Sequence, residues 1–206
     1  MKRLAILGST GSIGQSALAV VDAHPERLEV VGLAAGDNAQ LLAEQVRRYC
    51  PSIAAMATGS ATDRLRAACG GTVAIAGAGT EGLVAVATHP SVDIVICASA
   101  GTAGLDAVLA AIEAGKTIAL ANKEVLVMAG ALVTKAARRH GVAILPVDSE
   151  HNAIHQCLHG RPAEQVRRLV LTASGGPFRE LDAGALAGVN ADAALRHPTW
   201  PMGGKI

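Results

Sequence analysis

Short apolar runs alternate with amphipathic stretches along most of this 206-residue chain. Residues 4–7, 30–33, 53–57, 73–76, 94–97, 118–120 and 142–147 are apolar almost throughout, and each run predicts a strand. Between them, 13–23, 38–49, 61–68, 82–87, 103–114 and 124–140 carry helical periodicity. Strands that are apolar at successive positions need burial on both sides. The pattern therefore predicts an α/β fold of the Rossmann type, a parallel sheet with helices on both faces. The helices are rich in alanine, which favours them intrinsically and lets them pack closely on the sheet.

The alternation gives out after about residue 160. One more apolar run, Leu169-Val170-Leu171, leads into Ser174-Gly175-Gly176-Pro177-Phe178. The last ten residues, His197-Pro198-Thr199-Trp200-Pro201-Met202-Gly203-Gly204-Lys205-Ile206, suit neither helix nor strand. An irregular segment holding His, Trp and Met predicts a functional loop.

Composition narrows the class. Half the residues are hydrophobic, nearly all aliphatic, and Tyr49, Phe178 and Trp200 are the only aromatics. Eighteen basic and 17 acidic residues leave a net charge of +1, with no basic block, which argues against a nucleic-acid partner. Cys50, Cys69, Cys97 and Cys157 are far apart and predict free thiols in a reducing compartment. The first apolar run is broken at once by Gly8-Ser9-Thr10-Gly11, so it makes no signal peptide, and no run approaches the roughly 18 apolar residues of a membrane span. These features predict a soluble, cytoplasmic protein.

Candidate chemistry clusters where strands end. Gly8-Ser9-Thr10-Gly11-Ser12-Ile13-Gly14 follows the first strand and opens the first helix, the setting in which a glycine-rich turn binds a dinucleotide pyrophosphate. Gly8 suits the tight turn, Gly11 the approach of phosphate and Gly14 the packing of helix on strand, while Ser9, Thr10 and Ser12 offer hydroxyls. The spacing is one residue longer than the plain G-x-G-x-x-G fingerprint. The second strand ends at Ala34-Ala35-Gly36-Asp37-Asn38. A non-acidic strand tip leans toward NADP, although Asp37 would repel a 2′-phosphate unless it caps the next helix instead. Ser99-Ala100-Gly101-Thr102 makes another small-residue turn. Ala121-Asn122-Lys123-Glu124 sets an amide, an ammonium and a carboxylate in a row, either as site groups or as a helix's solvated first turn. Asp148-Ser149-Glu150 ends the last strand with two carboxylates, either capping a helix or offering the hard oxygens that Mg²⁺ and Mn²⁺ favour.

Together the motifs GSTGSIG (8–14), LANKE (120–124), LPVDSEHNAI (145–154), SGGPFR (174–179) and HPTWPMGGKI (197–206) resemble the N-terminal part of the 1-deoxy-D-xylulose 5-phosphate reductoisomerase family. The resemblance implies an NADPH-binding Rossmann domain over residues 1–147. Residues 148–206 would then begin a second, α+β catalytic and metal-binding domain. It implies that Thr10, Gly11, Ser12 and Ile13 hold cofactor phosphates, that Gly36, Asp37 and Asn38 lie near the adenosine ribose, and that Asn122, Glu124 and Gly203 contact NADPH. Asp148 and Glu150 would ligate Mg²⁺ or Mn²⁺. Lys123 and Ser149 would contact a sugar phosphate substrate, Ser174 and His197 would bind its phosphate, and Trp200 and Met202 would belong to a flap closing over it. The implied reaction rearranges deoxyxylulose phosphate to a branched aldehyde, which NADPH reduces to methylerythritol phosphate on the way to isoprenoid precursors. Family members are homodimers.

Two features depart from the family pattern. That pattern continues beyond residue 206 into further phosphate ligands, a third metal carboxylate and a helical domain, so the 206 residues alone are expected to lack turnover. His151, His155 and His159 recur every four residues, a stripe without HExxH or a nearby Cys pair, and are expected to be surface histidines rather than a zinc site. The alternatives are a nucleotide-binding chain without catalysis, or another NADP-linked oxidoreductase such as a semialdehyde dehydrogenase, which would need a nucleophilic cysteine at the site.

Overall fold

The structure is a computed structural model that describes residues 1–99, 101–172, 175–196 and 198. Each predicted apolar run supplies a strand: β1 (Lys2–Leu7), β2 (Leu28–Ala35), β3 (Ile53–Met56), β4 (Ala74–Ile75), β5 (Ile94–Cys97), β6 (Thr117–Leu120) and β7 (Ile144–Pro146). The helices between them are α1 (Ser12–Ala23), α2 (Ala39–Tyr49), α3 (Gly59–Cys69), α4 (Gly79–Ala87), α5 (Leu105–Glu113) and α6 (Glu124–His140). The sheet runs β4-β3-β2-β1-β5-β6-β7, parallel at every pairing. β7 is shorter than residues 142–147 because the Val142 N–H bonds Ala137 O in the turn ending α6. α6 is broken at Ala129 (φ −138°, ψ 26°), next to Gly130, whose missing side chain makes a helical backbone easy to bend.

Side-chain alternation along β1 shows how the two faces are built. Leu4 and Ile6 join a core with Leu18 of α1, Leu42 and Val46 of α2 and Leu65 of α3. Ala5 and Leu7 point the other way, to Val86 of α4, Val108 and Ile112 of α5 and Val125 of α6. Burying each Leu, Ile or Val stabilises the fold by about 1.5–3 kcal/mol. Right-handed crossovers explain the division: the chain steps outward from β1 to β4 with helices on one face, then returns past β1 to β5 with helices on the other. The connections after β1 and β5 therefore diverge, leaving a crevice at the carboxyl ends of these strands, where open α/β sheets bind ligands.

Two compact units are present, Met1–Asn152 and Ala153–Ile206. α7 (Ser149–Leu158) begins in the first. In the second, a 3₁₀ turn at Ala163–Gln165 precedes two one-turn helices, α8 (Ala183–Leu186) and α9 (Ala191–Ala194), capped by the side chains of Asp182 and Asn190. Leu169, Val170 and Leu171 are exposed, and no strand forms among the described residues of this unit. A β-strand needs a neighbouring strand to satisfy its backbone groups, and the described residues of this unit supply none. Among the described residues no helix is long and apolar enough to cross a membrane.

Candidate active site

The glycine-rich loop is held by the sheet beneath it. The N–H groups of Gly8 and Ser9 both bond Ala34 O, at 2.8 and 2.9 Å, so the loop leaves β1 pinned to the end of β2. Gly8 has φ +90°, and a Cβ there would meet Ala98 O at 2.6 Å, so only glycine passes between β2 and β5. A Cβ on Gly14 would lie 2.3 Å from Gly8 O, so glycine is also what lets α1 start directly above the loop. Gly11 differs: it occupies the N-cap of α1 in extended conformation, and a Cβ on it would meet only Gly8 O at 3.4 Å. No side chain caps α1, which leaves its N-terminal N–H groups and dipole available to an anion beside exposed Gly11, Ser12 and Ile13. Thr10 lies on the same rim, its carbonyl accepting from Gln15 Nε2.

Ser9 does not serve as an anion donor. It is fully buried, its Oγ donates to Gln45 Oε1 at 2.7 Å, and Gln45 Nε2 returns to Ser9 O at 2.9 Å. This closed pair ties the loop to α2 and satisfies both polar groups in a place where water is excluded. Gln45 is a supporting residue that the motif reading missed. Its signal was a lone amide one position before Val46 on the buried face of α2, with Leu42 a turn earlier.

Past β2, open space surrounds Gly36. Asn38, not Asp37, caps α2, accepting from Leu41 N at 3.1 Å. Asp37 was expected to take that capping role, but one residue farther from the helix its carboxylate faces α3 and accepts from Thr58 Oγ1 at 2.9 Å. The Asp37 carbonyl accepts from Arg64 Nη2 at 3.2 Å. Asp37, Asn38, Ala39, Gln40, Arg64 and Ala68 line a cavity of about 230 Å³.

On the other side of the crevice, β5, β6 and β7 end in register. Ala121 and Asn122 donate to Cys97 O, and Val147 to Leu120 O. Asn122 is buried, and its amide donates to Ser99 O at 2.6 Å and Gly101 O at 2.8 Å, fixing the small-residue turn after β5. Its Oδ1 is buried without a partner among the described residues, an arrangement that costs about 1–3 kcal/mol until a donor is supplied. Glu124 opens α6 directly after Lys123.

Lys123 Nζ lies 2.7 Å from Asp148 Oδ2, and His151 Nδ1 lies 3.0 Å from Asp148 Oδ1. Only 11 % of the Asp148 side chain is exposed. Burial alone pushes its carboxyl up, but the hydrogen bond and charge of Lys123, with His151 adding to them, outweigh it and hold Asp148 below its usual range. The hydrogen bond to Asp148 raises Lys123 in turn, against some desolvation. Leu120, Lys123, Leu126, Ile144, Pro146, Asp148 and His151 surround a cavity of about 220 Å³. Ser149 Oγ donates to Glu150 Oε2 at 2.9 Å in the first turn of α7. Both Asp148 oxygens face basic side chains, Lys123 from the turn after β6 and His151 from the first turn of α7. No three metal-ligating side chains cluster among the described residues. Asp148 and Glu150 are the hard oxygen donors that fit Mg²⁺ or Mn²⁺, with Lys123 a competing cation.

The structure thus brings Thr10, Gly11, Ser12, Ile13, Gly36, Asp37, Asn38, Asn122, Lys123, Glu124, Asp148, Ser149 and Glu150 to the carboxyl edge of one sheet. Ser174, His197, Trp200, Met202 and Gly203 lie outside the described residues. His155 and His159 are exposed, with ring centroids 5.6 Å apart and no metal-ligating cluster around them among the described residues.

The family model described as 1-deoxy-D-xylulose 5-phosphate reductoisomerase matches residues 4–130, and the model for that enzyme's C-terminal domain matches 144–206. The reductoisomerase of Anaeromyxobacter dehalogenans is 55 % identical over 207 aligned residues, covering 100 % of this chain and 53 % of that protein. That of Pelotomaculum thermopropionicum is 49 % identical, covering 100 % of this chain and 54 % of that protein. A crystal structure of DOX-P reductoisomerase with NADPH, fosmidomycin and magnesium superposes with a TM-score of 0.88 at 40 % identity, covering 98 % of this chain and 52 % of that one. The Zymomonas mobilis enzyme in complex with NADPH gives 0.86 at 44 % identity, covering 96 % of this chain and 52 % of that one. The chain spans about half the length of the curated relatives it matches. With both family models matched in chain order on a doubly wound sheet whose glycine loop, LANKE turn and Asp148-Ser149-Glu150 turn share one edge, the chain belongs to the 1-deoxy-D-xylulose 5-phosphate reductoisomerase family.

Proposed function

We propose that this chain is the NADPH-binding part, residues 1–147, and the first portion of the catalytic part, residues 148–206, of an enzyme converting 1-deoxy-D-xylulose 5-phosphate to 2-C-methyl-D-erythritol 4-phosphate. The observation that carries this is the 2.7 Å contact between Lys123 and Asp148, which joins the turn after β6 to the carboxylate after β7 at the edge that also holds the glycine loop. That contact supports reading the turns after β6 and β7 as parts of one site at this edge.

In this reading the α1 N-terminus with Thr10, Gly11, Ser12 and Ile13 binds the pyrophosphate. Gly36, Asp37 and Asn38 bound the adenosine ribose, and Asn122, Glu124 and Gly203 hold the rest of NADPH. Asp148 and Glu150 hold Mg²⁺ or Mn²⁺, which when bound polarises the substrate's oxygens and stabilises developing negative charge. With Asp148 committed to such an ion, Lys123 would be free to offer its ammonium to the substrate, beside Ser149. Ser174 and His197 take the substrate phosphate, and Trp200 shields the site from water. The chain is proposed to act as a cytoplasmic homodimer. A cysteine-dependent dehydrogenase fits less well: Cys97, at the end of β5, is buried, and burial pushes its thiol up to about 11, so it stays protonated and is no nucleophile.

Loss of NADPH absorbance in the presence of deoxyxylulose phosphate and Mn²⁺ tests the reading, using both the 206-residue chain and a form extended to the length of its relatives. The extended form should turn over and the short form should not, because the first lacks neither metal ligands nor phosphate ligands and poor positioning alone removes many powers of ten in rate. No turnover by the extended form would refute the assigned activity. Equal turnover by both would refute the need for the additional residues.

A further inference from the structure

We propose that Arg64 is the residue that makes this site select a 2′-phosphorylated dinucleotide. The inference rests on the NADPH reading above and adds the group that supplies its specificity. β2 ends in Ala34-Ala35-Gly36, with no carboxylate at the tip to take a ribose diol and open space around Gly36. The first acidic group is Asp37, whose charge opposes a phosphate. That carboxylate is drawn toward α3, where it accepts from Thr58 Oγ1 at 2.9 Å. The same helix supplies Arg64, whose Nη2 donates to the Asp37 carbonyl at 3.2 Å and places the guanidinium on the wall of the cavity that Asp37, Asn38 and Gln40 also line.

What distinguishes Arg64 is its partner. Arg66, two residues on, pairs with Asp63 at 3.1 Å, and Arg48 of α2 pairs with Asp22 at 2.8 Å. Among the described residues Arg64 has no carboxylate partner, and its hydrogen bond goes to a neutral carbonyl. A guanidinium has five N–H donors in a planar fork, so one carbonyl leaves most of that fork for a ligand. A phosphate monoester on the ribose matches it in charge and bidentate geometry. The ribose hydroxyl of NADH offers no charge and gains little from the same contact. Arg64 thus offsets Asp37 from the neighbouring helix, and the sign of the cofactor preference follows from which of the two faces the 2′ position.

Calorimetric titration of the wild type, Arg64→Gln and Arg64→Lys with NADPH, NADH, adenosine 2′-monophosphate and adenosine 5′-monophosphate tests this. Arg64→Gln should weaken NADPH by roughly 10- to 100-fold, the range of one charge-assisted contact, while leaving NADH within about 2-fold. Adenosine 2′-monophosphate should weaken in step with NADPH, and the 5′-monophosphate should not. Arg64→Lys should restore part of the loss, since the charge returns without the fork. The proposal is overturned if the wild type binds both dinucleotides equally, if Arg64→Gln keeps the wild-type preference for NADPH, or if it weakens both equally, which is the mark of a structural role. Failure of the wild type to bind either dinucleotide would bring down the NADPH reading itself, whereas an intact NADPH preference in Arg64→Gln would remove only Arg64.

Discussion

Two glycines in the same loop should respond oppositely to the same methyl group. In Gly14→Ala the new Cβ would start 2.3 Å from Gly8 O and 2.5 Å from Ser9 Cα, both backbone atoms, so no rotamer relieves it. The loop has little room to retreat, because Gly8 and Ser9 are bonded to Ala34 O and Ser9 is locked to Gln45. The start of α1 must therefore lift by roughly 1 Å to reach ordinary contact, disturbing the seats of Leu18 and Val21 in the core. Overpacking of this kind costs about 1–3 kcal/mol, and contact with rigid backbone puts Gly14 at the upper end. Replacing a helical glycine returns about 1 kcal/mol. The net loss is then about 2 kcal/mol, or a fall in Tm of roughly 4–8 °C for a chain of this size. Gly11→Ala meets one atom at 3.4 Å, and Gly11 has φ −76° and ψ 171°, which alanine adopts freely. Gain in chain entropy and loss of N-cap preference nearly offset, leaving stability within about 0.5 kcal/mol. Its methyl nevertheless intrudes over the α1 N-terminus, so NADPH affinity should fall although the fold does not suffer. Thermal unfolding followed by circular dichroism, with NADPH titration of each variant, separates the two effects. A Gly14→Ala protein as stable as the wild type, or a Gly11→Ala protein as destabilised as Gly14→Ala, would refute the reasoning.

Other consequences follow from the same geometry. Since Lys123 competes for Asp148 Oδ2, Lys123→Ala should bind Mn²⁺ several-fold more tightly than the wild type and Asp148→Asn more weakly, as read by paramagnetic resonance of free Mn²⁺; the reverse order would mean that Asp148 is not a ligand. Asp93, held by the side chain and backbone N–H of Arg3, is lowered from 3.8 to about 2. A lowered carboxyl contributes stability that is fully present above pH 3.8 and is lost as pH falls toward 2. The pair is 42 % and 31 % exposed, so solvent screening keeps the contribution small, and Asp93→Asn should flatten acid unfolding in that window while lowering stability only slightly at neutral pH. Ellman's reagent should modify Cys50 and Cys157 rapidly in the native protein and reach Cys69 and Cys97 only on unfolding, because the first pair is exposed and the second buried. Fast labelling of Cys97 would mean that the crevice opens far more readily than its packing indicates.

Much of this protein is written locally. Apolar runs of strand length separated by amphipathic stretches determine seven strands and six helices, and continuous apolar strands require burial on both faces. Gly8 and Gly14 mark the loop after β1 because positive φ at the first and close backbone approach at both require the residue itself. The motifs carried the family resemblance for the same reason, since each lies within a few consecutive residues. What the sequence left open depended on partners far away in the chain. Ser9 reads as an anion donor until Gln45, 36 residues on, takes its hydroxyl. Asp37 reads as a helix cap until Thr58 claims its carboxylate and Arg64 arrives from α3. Asp148 reads as cap or ligand in the sequence, which does not show that parallel pairing of β6 with β7 brings Lys123 against it from 25 residues away. A side chain's role is set by the donor or charge within about 3 Å of it, and only the order of strands in the sheet decides which that will be.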